Sequence, residues 1–293
     1  MAHELIKEKE YFQRVLEVIF QKIKRLESEY NRISPYVYAV GDLFNDWEYE
    51  TKKLEALRIK REYEPKLNNL KRLQKEPYFG KIHLVIHDEK KEYYIGQDDI
   101  IDTHNKQHVI SWRTELGDLF YKRLPSVKLK NGTIVIINKT RSFTIKNGSL
   151  ESFKDFEIIR EENHLSDLLT AYKQYISSDF LQNQLVNRNA QMLRPILQTI
   201  DQKQNEIIRM SMNRPIVVQG VSGSGKTTMG LQRLSYIMYH FEKKYNKSAS
   251  ILAICPNDIF LDYINELVPN LSLQSVKFMT IQQLFNKLLP KGI

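Results

Sequence analysis

Cysteine is almost absent from this chain, since Cys255 is the only one among 293 residues. A lone cysteine excludes a disulfide within the chain and a thiol cluster that holds a metal. No apolar run approaches the ~18 residues that a membrane span requires. The charged segment from Met1 to Glu10 lacks the apolar core of a secretion signal. These absences predict a cytoplasmic protein that does not insert into a membrane.

The composition is that of an ordinary folded protein. Hydrophobic residues make up 42% of the chain and charged residues 27%, which excludes a disordered chain. The length suits about two domains of typical size. The formal net charge of +9 suits contact with nucleic acid or with an acidic protein surface. A general excess of surface lysine explains the charge equally well, so it does not identify the partner.

The segment from Gly220 to Thr227 fits the phosphate-binding loop pattern G-x-x-x-x-G-K-[ST] at every fixed position. Its three glycines allow successive backbone N–H groups to point at one anion. Lys226 is expected to neutralise the β- and γ-phosphates, and the Thr227 hydroxyl to ligate Mg²⁺. The candidate residues for binding ATP are Gly220, Val221, Ser222, Gly223, Ser224, Gly225, Lys226, Thr227 and Thr228.

The surroundings of this loop are those of a phosphate-binding unit. A β-branched run, Ile216 to Val218, precedes the loop and predicts a short strand. The segment from Thr228 to Tyr239 predicts a helix whose positive dipole end would face the phosphates. A chance match in a glycine-rich turn is the competing interpretation, and the order strand, loop, helix argues against it.

Residues 1–77 are predicted to form an antiparallel coiled-coil hairpin. Apolar residues in the first helix are spaced alternately by four and three, as in a coiled-coil seam. That seam comprises Phe12, Leu16, Ile19, Ile23, Leu26, Tyr30 and Ile33. A second helix is predicted from about Asp46 to Lys75, with Pro65 expected to kink it or shift its phase. Its apolar side comprises Trp47, Leu54, Leu57, Leu67 and Leu70.

Residues 78–162 are predicted to form a small antiparallel sheet or barrel. Strands are expected at 81–87 and 92–95 around a polar turn at 88–91. Asn131-Gly132 and Asn147-Gly148 are hairpin signals, with further strands expected at 133–137 and 142–145.

Residues 163–293 are predicted to contain a helix and then the opening of a P-loop ATPase domain. The first helical stretch spans about 163–212 and contains Pro195. After the P-loop helix, strands are expected at 250–254 and 276–279, with a helix from Phe260 to Leu267 between them. Alternation of strand and helix implies a parallel sheet covered by helices. The predicted fold class is therefore an incomplete α/β, RecA-like parallel sheet behind the hairpin and the β region.

A glutamine shortly before the loop, Gln204, resembles the Q-motif of superfamily-one helicases of the UvrD/Rep type. Reading the adenine edge requires one donor and one acceptor side by side, and a glutamine amide supplies both. Gln202 is the competing candidate. A solvated polar residue on a helix is the ordinary alternative for either one.

Over nearly its whole length the chain resembles the HelD-type branch of that superfamily. The segments that carry the resemblance are Pro77 to Ile82, Tyr93 to Gly96, Ile110 to Arg113, Phe120-Tyr121, the Gln204 segment, Val217 to Gly220, Leu231 to Tyr236, Cys255 to Asn257, Phe260 to Ile264 and Leu267 to Pro269. The resemblance implies an ATP-driven factor that binds and recycles bacterial RNA polymerase, with DNA as the alternative partner.

The resemblance also implies roles for single regions. The hairpin of such proteins enters the polymerase secondary channel, and its tip would here be Pro35 to Trp47. Its carboxylates Asp42 and Asp46, with Glu48 just beyond the tip, would act there on Mg²⁺ or nucleic acid by charge. As an alternative, they are ordinary loop carboxylates with a helix N-cap at Asp46.

Three further positions bear on the resemblance. Ser111 stands where the family commonly has aspartate, so an ion pair made by that aspartate is expected to be lost. Pro195 is expected to bend the helix before the Q-motif. Pro256-Asn257 lies where related helicases contact single-stranded nucleic acid.

No residue after Thr227 is a clear candidate for cleaving ATP. Phosphoryl transfer needs an acid for Mg²⁺ and water, and arginines for the transition state. No apolar strand after the loop ends in Asp-Glu, and Asp258 and Asp262 are interpreted as a helix cap and a surface residue. The chain is therefore expected to be the first part of a HelD-like motor, without an assigned catalytic residue. The alternatives are part of a UvrD/Rep-type DNA translocase and a polymerase-binding protein without turnover.

Overall fold

The computed structural model describes residues 2–33, 46–122, 124–146, 148–158, 197–221 and 223–289. The chain divides into two compact units. The first comprises Met1–Lys81, Glu92–Ser111 and Arg141–Phe156, and the second comprises Ile82–Lys91, Trp112–Thr140 and Glu157–Ile293. Each unit draws on three separate stretches of chain, so packing rather than chain order sets this division. The division at 77 and 162 stays a prediction.

Two long helices open the first unit, α1 (Ala2–Ile33) and α2 (Asp46–Lys75). Glu27 pairs with Lys71 at 3.2 Å, and the rings of Tyr30 and Tyr63 lie 6.0 Å apart. As the residue number rises on α1 it falls on α2, so the two helices run antiparallel here. Pro65 lies inside α2, which continues across it. Within the described part of the chain, every helix is too short or too polar to cross a bilayer.

Of the predicted seam of α1, Phe12, Ile19 and Ile23 are the most buried. They pack with residues of the strands as well as with α2. The buried cluster of this unit comprises Phe12, Val15, Ile19, Ile23, Leu67, Leu73, Tyr78, Tyr94, Ile100, Val109, Phe143, Ile145 and Leu150. The expected apolar side of α2 is wrong at Leu54 and Leu57, which are 64% and 43% exposed. Leu67 and Leu70 do reach the core.

A seven-stranded sheet follows α2, with one helix inserted between its fourth and fifth strands. The elements are β1 (Gly80–Ile86), β2 (Glu89–Gly96), β3 (Ile100–Ile101), β4 (Gln107–Ser111), α3 (Glu115–Lys122), β5 (Ser126–Lys128), β6 (Ile134–Lys146) and β7 (Ser149–Glu157). The strand order is β3-β4-β2-β1-β6-β5, with β7 also paired to β6.

The prediction of an antiparallel sheet is wrong for one pair, because β2 and β4 run parallel and the sheet is mixed. Tyr94 lies opposite Val109 and Gly96 opposite Ser111. Between β2 and β4 the chain forms the short strand β3, which pairs antiparallel to β4. The chain thus turns round twice, and β4 runs in the same direction as β2. Such a parallel return needs a crossover. The local hairpin signals in the sequence could not reveal it.

The turns follow the predicted glycine positions more closely. Gly132 and Gly148 have φ angles of +89° and +74°, so both Asn-Gly signals mark real turns. The turn between β1 and β2 lies at His87 and Asp88, with φ angles of 50° and 63°, not at 88–91 as expected. The single strand β6 spans both of the segments predicted at 133–137 and 142–145.

The second unit contains the phosphate-loop region. Its elements are α4 (Gln202–Arg209), α5 (Lys226–Tyr245), β8 (Leu252–Cys255), α6 (Asp258–Leu267), a 3-10 turn (Val268–Leu271), β9 (Lys277–Thr280) and α7 (Ile281–Leu288). Strands β8 and β9 are parallel, with Leu252 opposite Lys277 and Cys255 opposite Thr280. The parallel pairing predicted from the alternation of strand and helix is confirmed for these two strands.

The strand expected at 216–218 is not formed. These residues have no regular secondary structure, and Val217 is 95% exposed. A strand needs a hydrogen-bonding neighbour, and the two-stranded sheet of this unit consists of β8 and β9. The RecA-like class of the fold therefore stays a prediction. Residues 34–45 of the hairpin tip with Asp42, residues 159–196 with Pro195, and Ser222 lie outside the described residues. The helix expected to continue to about 212 is interrupted at 199–201, before α4, and α4 ends at Arg209.

Candidate nucleotide-binding site

Glycine conformation shapes the loop that leads into α5. Gly223 and Gly225 have φ angles of 79° and 78°, in the left-handed region that side-chain-bearing residues rarely adopt. At Gly220 a Cβ atom would lie 2.9 Å from the Ser224 Oγ. Helix α5 begins at Lys226, so the last two residues of the Gly220–Thr227 segment belong to the helix, which begins two residues earlier than expected.

The Lys226 side chain curls back over the loop. Its Nζ donates to the carbonyl oxygens of Gly220 at 2.9 Å and Val221 at 2.6 Å, and lies 3.4 Å from the Ser224 Oγ. These acceptors are neutral, and a phosphate oxygen would be a stronger acceptor for an ammonium group. Thr227 is exposed in the first turn of α5, and Thr228 is half-buried.

Three features of this segment fit a polyphosphate. Glycine backbone leaves room for an anion, a lysine ammonium stands at the loop, and a helix N-terminus adds partial positive charge. An exposed threonine hydroxyl beside them is a ligand type that suits Mg²⁺. The residues present therefore fit a nucleoside triphosphate with Mg²⁺.

Gln204 lies against the loop. Its Nε2 is 3.4 Å from where a Cβ on Gly225 would be. The same side chain takes part in a capping box, in which Gln204 N donates to Asp201 Oδ1 at 2.9 Å and Asp201 N to Gln204 Oε1 at 3.3 Å. The competing Gln202 donates instead to Glu206 on the exposed side of α4.

A polar cluster that sequence reasoning missed supports α4. Asp118 of α3 accepts from Asn205 Nδ2 at 2.6 Å and pairs with Arg209 Nε at 2.9 Å. The Arg209 guanidinium also donates to the backbone carbonyls of Trp112, Arg113 and Thr114. The segment around Trp112 was noted only as part of the family resemblance. A signal was available in the polar spacing of Asn205 and Arg209, four residues apart on one short helix.

The buried Arg113 connects the same segment to α5. Its guanidinium donates to Ser235 Oγ at 3.2 Å and lies 4.6 Å from the Tyr239 ring centroid. His240 Nε2 is 2.9 Å from the Arg113 carbonyl oxygen. Burial is the main cause that lowers the pKa of His240 below its usual value, and nearby cations add to the effect.

Ser111, the expected departure from the family pattern, is fully buried and well bonded. Its hydroxyl donates to the carbonyl of Gln97 at 3.0 Å, and its N–H donates to Asp99 Oδ1 at 2.9 Å. The polar groups of Ser111 therefore have hydrogen-bond partners without the ion pair that an aspartate would make at this position.

Asn257 caps α6, because its side chain accepts from Phe260 N at 2.8 Å. The expectation that Asp258 is the cap is therefore wrong. Asp258 lies in the first turn of α6 and accepts from Gln283 Nε2 at 3.1 Å. Contact between Pro256-Asn257 and nucleic acid stays a prediction.

One family model matches the chain. It describes the N-terminal domain of DNA helicase IV HelD, and it covers residues 5–175. No curated protein sequence matches the chain significantly. The matched range ends before the phosphate loop and includes the α1–α2 pair and the seven-stranded sheet. It covers more than half of the 293 residues, so the chain belongs to the family of the HelD N-terminal domain.

Proposed function

We propose that this HelD-family chain binds ATP with Mg²⁺ through the loop from Gly220 to Thr227, as the N-terminal part of a motor that acts on bacterial RNA polymerase. One observation carries the nucleotide part. The Lys226 ammonium, two left-handed glycines and the Gln204 amide are assembled at the start of α5.

Each group has a separate task in this proposal. Lys226 exchanges its carbonyl acceptors for phosphate oxygens, and the backbone N–H groups of the loop hold the remaining phosphate charge. Thr227 Oγ ligates Mg²⁺, which neutralises further charge when bound. Gln204 reads the adenine edge with one donor and one acceptor. Only Gln204 can distinguish one base from another in this set.

Equilibrium titration with ATP and Mg²⁺ tests the proposal. Lys226→Ala is expected to weaken ATP binding by about tenfold or more, because an ammonium–phosphate contact is worth about 1.5–3 kcal/mol. The control is Lys247→Ala, which removes one exposed charge beyond the end of α5. If both variants bind ATP as the unaltered protein does, the loop is not a nucleotide site.

RNA polymerase is proposed as the partner on the basis of family membership and the resemblance. The test immobilises bacterial core polymerase and measures retention of the chain at rising salt. Retention at high salt supports a specific protein interface.

A DNA-directed function would behave differently in the same assay. Contacts to phosphates release counterions, so affinity for single-stranded DNA falls steeply with salt. Binding to such DNA that collapses with salt, without retention on the polymerase, would contradict the polymerase proposal and favour a UvrD/Rep-type activity.

A further inference from the structure

The C-terminal end of α4 is held by a single side chain from α5. The Arg233 guanidinium donates to the carbonyl oxygens of Ile207, Ile208 and Met210 at 2.9–3.0 Å. A fourth bond joins Arg233 to the Ser211 carbonyl at 3.1 Å. The last carbonyls of a helix lack partners within the helix, so one guanidinium satisfies the end of α4.

This contact links two elements of the nucleotide site. Arg233 projects from α5 about two turns beyond Lys226. Gln204 lies near the other end of α4. Arg233 therefore helps to fix the distance between Gln204 and the phosphate loop, together with the contacts that Asn205 and Arg209 of α4 make with Asp118.

The contacts of Gln204 leave its side chain little freedom to compensate for a movement of α4. Its Oε1 is engaged by Asp201 N in the capping box, so the side chain moves with the helix. Its Nε2 lies beside Gly225. Since α4 has only eight residues, a displacement at its C-terminal end is carried to its first turn.

We propose that Arg233 is a positioning residue for base recognition. It holds α4 so that the Gln204 amide faces the base of a nucleotide bound at the loop. This inference rests on the proposed function, because it requires a nucleotide there. Among the described residues, the side-chain hydrogen bonds of Arg233 go to backbone carbonyls at the end of α4, so its effect on the nucleotide passes through α4 and Gln204.

A base-selective readout separates this role from a general structural one. Adenine presents a donor and an acceptor side by side at N6 and N7, whereas guanine presents two acceptors. Gln204 with one donor and one acceptor matches adenine only. Misplacement of α4 therefore lowers the preference for ATP over GTP, while binding of inorganic tripolyphosphate depends on the loop alone.

The experiment measures the affinities of the full chain for ATP, GTP and tripolyphosphate with Mg²⁺. Arg233→Met is expected to reduce the ATP-to-GTP preference about tenfold, the scale of one lost base contact pair. Affinity for tripolyphosphate should stay within about twofold. Arg233→Lys, which keeps the charge without the two-nitrogen fork, should be intermediate. The control Arg214→Met changes an exposed arginine and should leave the preference unaltered.

A double variant tests whether Arg233 acts through Gln204. Gln204→Ala alone should remove the preference, and adding Arg233→Met should reduce it no further, because the two changes affect one interaction. If Arg233→Met fails to fold by circular dichroism, Arg233→Lys with and without Gln204→Ala replaces it. Additive losses would overturn the inference.

The two proposals fail in distinguishable ways. Absence of Lys226-dependent ATP binding overturns the proposed function and this inference together. Lys226-dependent binding with an unchanged ATP-to-GTP preference in both Arg233 variants overturns this inference alone.

Discussion

Glu8 is a buried carboxylate that faces two cations in the first unit. It is 3% exposed, and its Oε1 accepts from Lys81 Nζ at 2.9 Å and from Arg141 Nη1 at 2.8 Å. Its Oε2 accepts from the Tyr94 hydroxyl at 2.7 Å. Burial raises the pKa of Tyr94, and the Glu8 charge raises it further, so the phenol remains a donor. Asp155 also pairs with Arg141 at 2.6 Å.

Replacing Glu8 by Gln tests how far this network stabilises the protein. The substitution removes the anion that Lys81 and Arg141 share. Because Lys81 keeps Glu92 at 2.7 Å and Arg141 keeps Asp155, the loss should be below the about 3–5 kcal/mol of a buried charge left without a partner. The measurement is the free energy of unfolding in urea. The control Glu10→Gln removes an exposed carboxylate from the same helix and should stay within about 0.5 kcal/mol. Equal losses in both variants would mean that the network contributes nothing specific.

His240 gives the second unit a dependence on pH. Because the folded state lowers its pKa from 6.5, the unfolded chain takes up a proton first as pH falls. The stability contribution is therefore complete above pH ~6.5 and is lost as pH falls from that value through the lower folded pKa.

His240→Gln should flatten that dependence. A glutamine amide can donate to the Arg113 carbonyl and does not titrate. We expect the variant to show less loss of unfolding free energy between about pH 7 and pH 5 than the unaltered protein. His3→Gln, which changes an exposed histidine, is the control. A slope as steep in His240→Gln as in the control would show that other groups cause the loss.

At the scale of elements, replacing glycine by alanine is expected to have opposite effects on stability at two positions, one in a strand and one in a helix. At Gly96 in β2, a Cβ would lie 2.5 Å from the Pro77 carbonyl oxygen and 2.7 Å from Val109 Cγ1. One of these atoms is backbone and cannot rotate away. At Gly230 in α5, nothing lies within 4 Å of an added Cβ.

Gly96→Ala should therefore destabilise the protein by about 1–3 kcal/mol through overpacking at the parallel pair β2–β4. Gly230→Ala should stabilise it by about 1 kcal/mol, because alanine favours a helix interior over glycine. Urea unfolding of both variants measures the difference in sign. A stabilising Gly96→Ala would show that β2 and β4 do not approach as closely as the structure places them.

Elements with a local signal were predicted well from the sequence. Glycine at 132 and 148 marked real turns because glycine, which has no Cβ, adopts a positive φ at little steric cost. The parallel pair β8–β9 followed from strand-helix alternation. The parallel return of β4 beside β2 and the lack of a strand at 216–218 depend on which strands pair, which no local pattern records.

The candidate site divides in the same way. The loop and Gln204 carry short motifs with a chemical reason for each residue, so the sequence alone identifies them as candidates. Arg233 and Asp118 act through contacts between residues far apart in the chain. A lone arginine on a helix has no pattern that distinguishes it from a solvated one. Its role becomes visible only when the carbonyls that it binds are known.

At the scale of the molecule, family membership and nucleotide chemistry rest on different parts of the chain. The family match covers residues 5–175, and the phosphate loop begins at Gly220. The formal net charge of +9 favours anionic partners in general and does not point to either part. The two proposed activities, polymerase binding and ATP binding, are therefore separable experimentally. Lys226→Ala should weaken ATP binding by about tenfold or more and leave polymerase binding unchanged.

Binding without turnover is the prediction that belongs to this chain as a whole. Hydrolysis needs a carboxylate for Mg²⁺ and water near the phosphate cradle. In the described residues, β8 ends at Cys255 and β9 at Thr280, whose hydroxyl caps α7 by accepting from Gln283 N. Asp258 is engaged by Gln283 as well. Neither strand end thus offers a free acid for that task.

We expect phosphate release from ATP by this polypeptide to equal the background measured with Lys226→Ala, even when ATP binding is saturated. The loop stabilises the bound triphosphate, and ground-state binding alone does not lower the barrier to hydrolysis. The assay follows inorganic phosphate over time with purified protein, ATP and Mg²⁺, and adds RNA polymerase in a parallel series. Release that exceeds background and disappears in Lys226→Ala would contradict the prediction. It would require a carboxylate elsewhere in this chain to reach the phosphates.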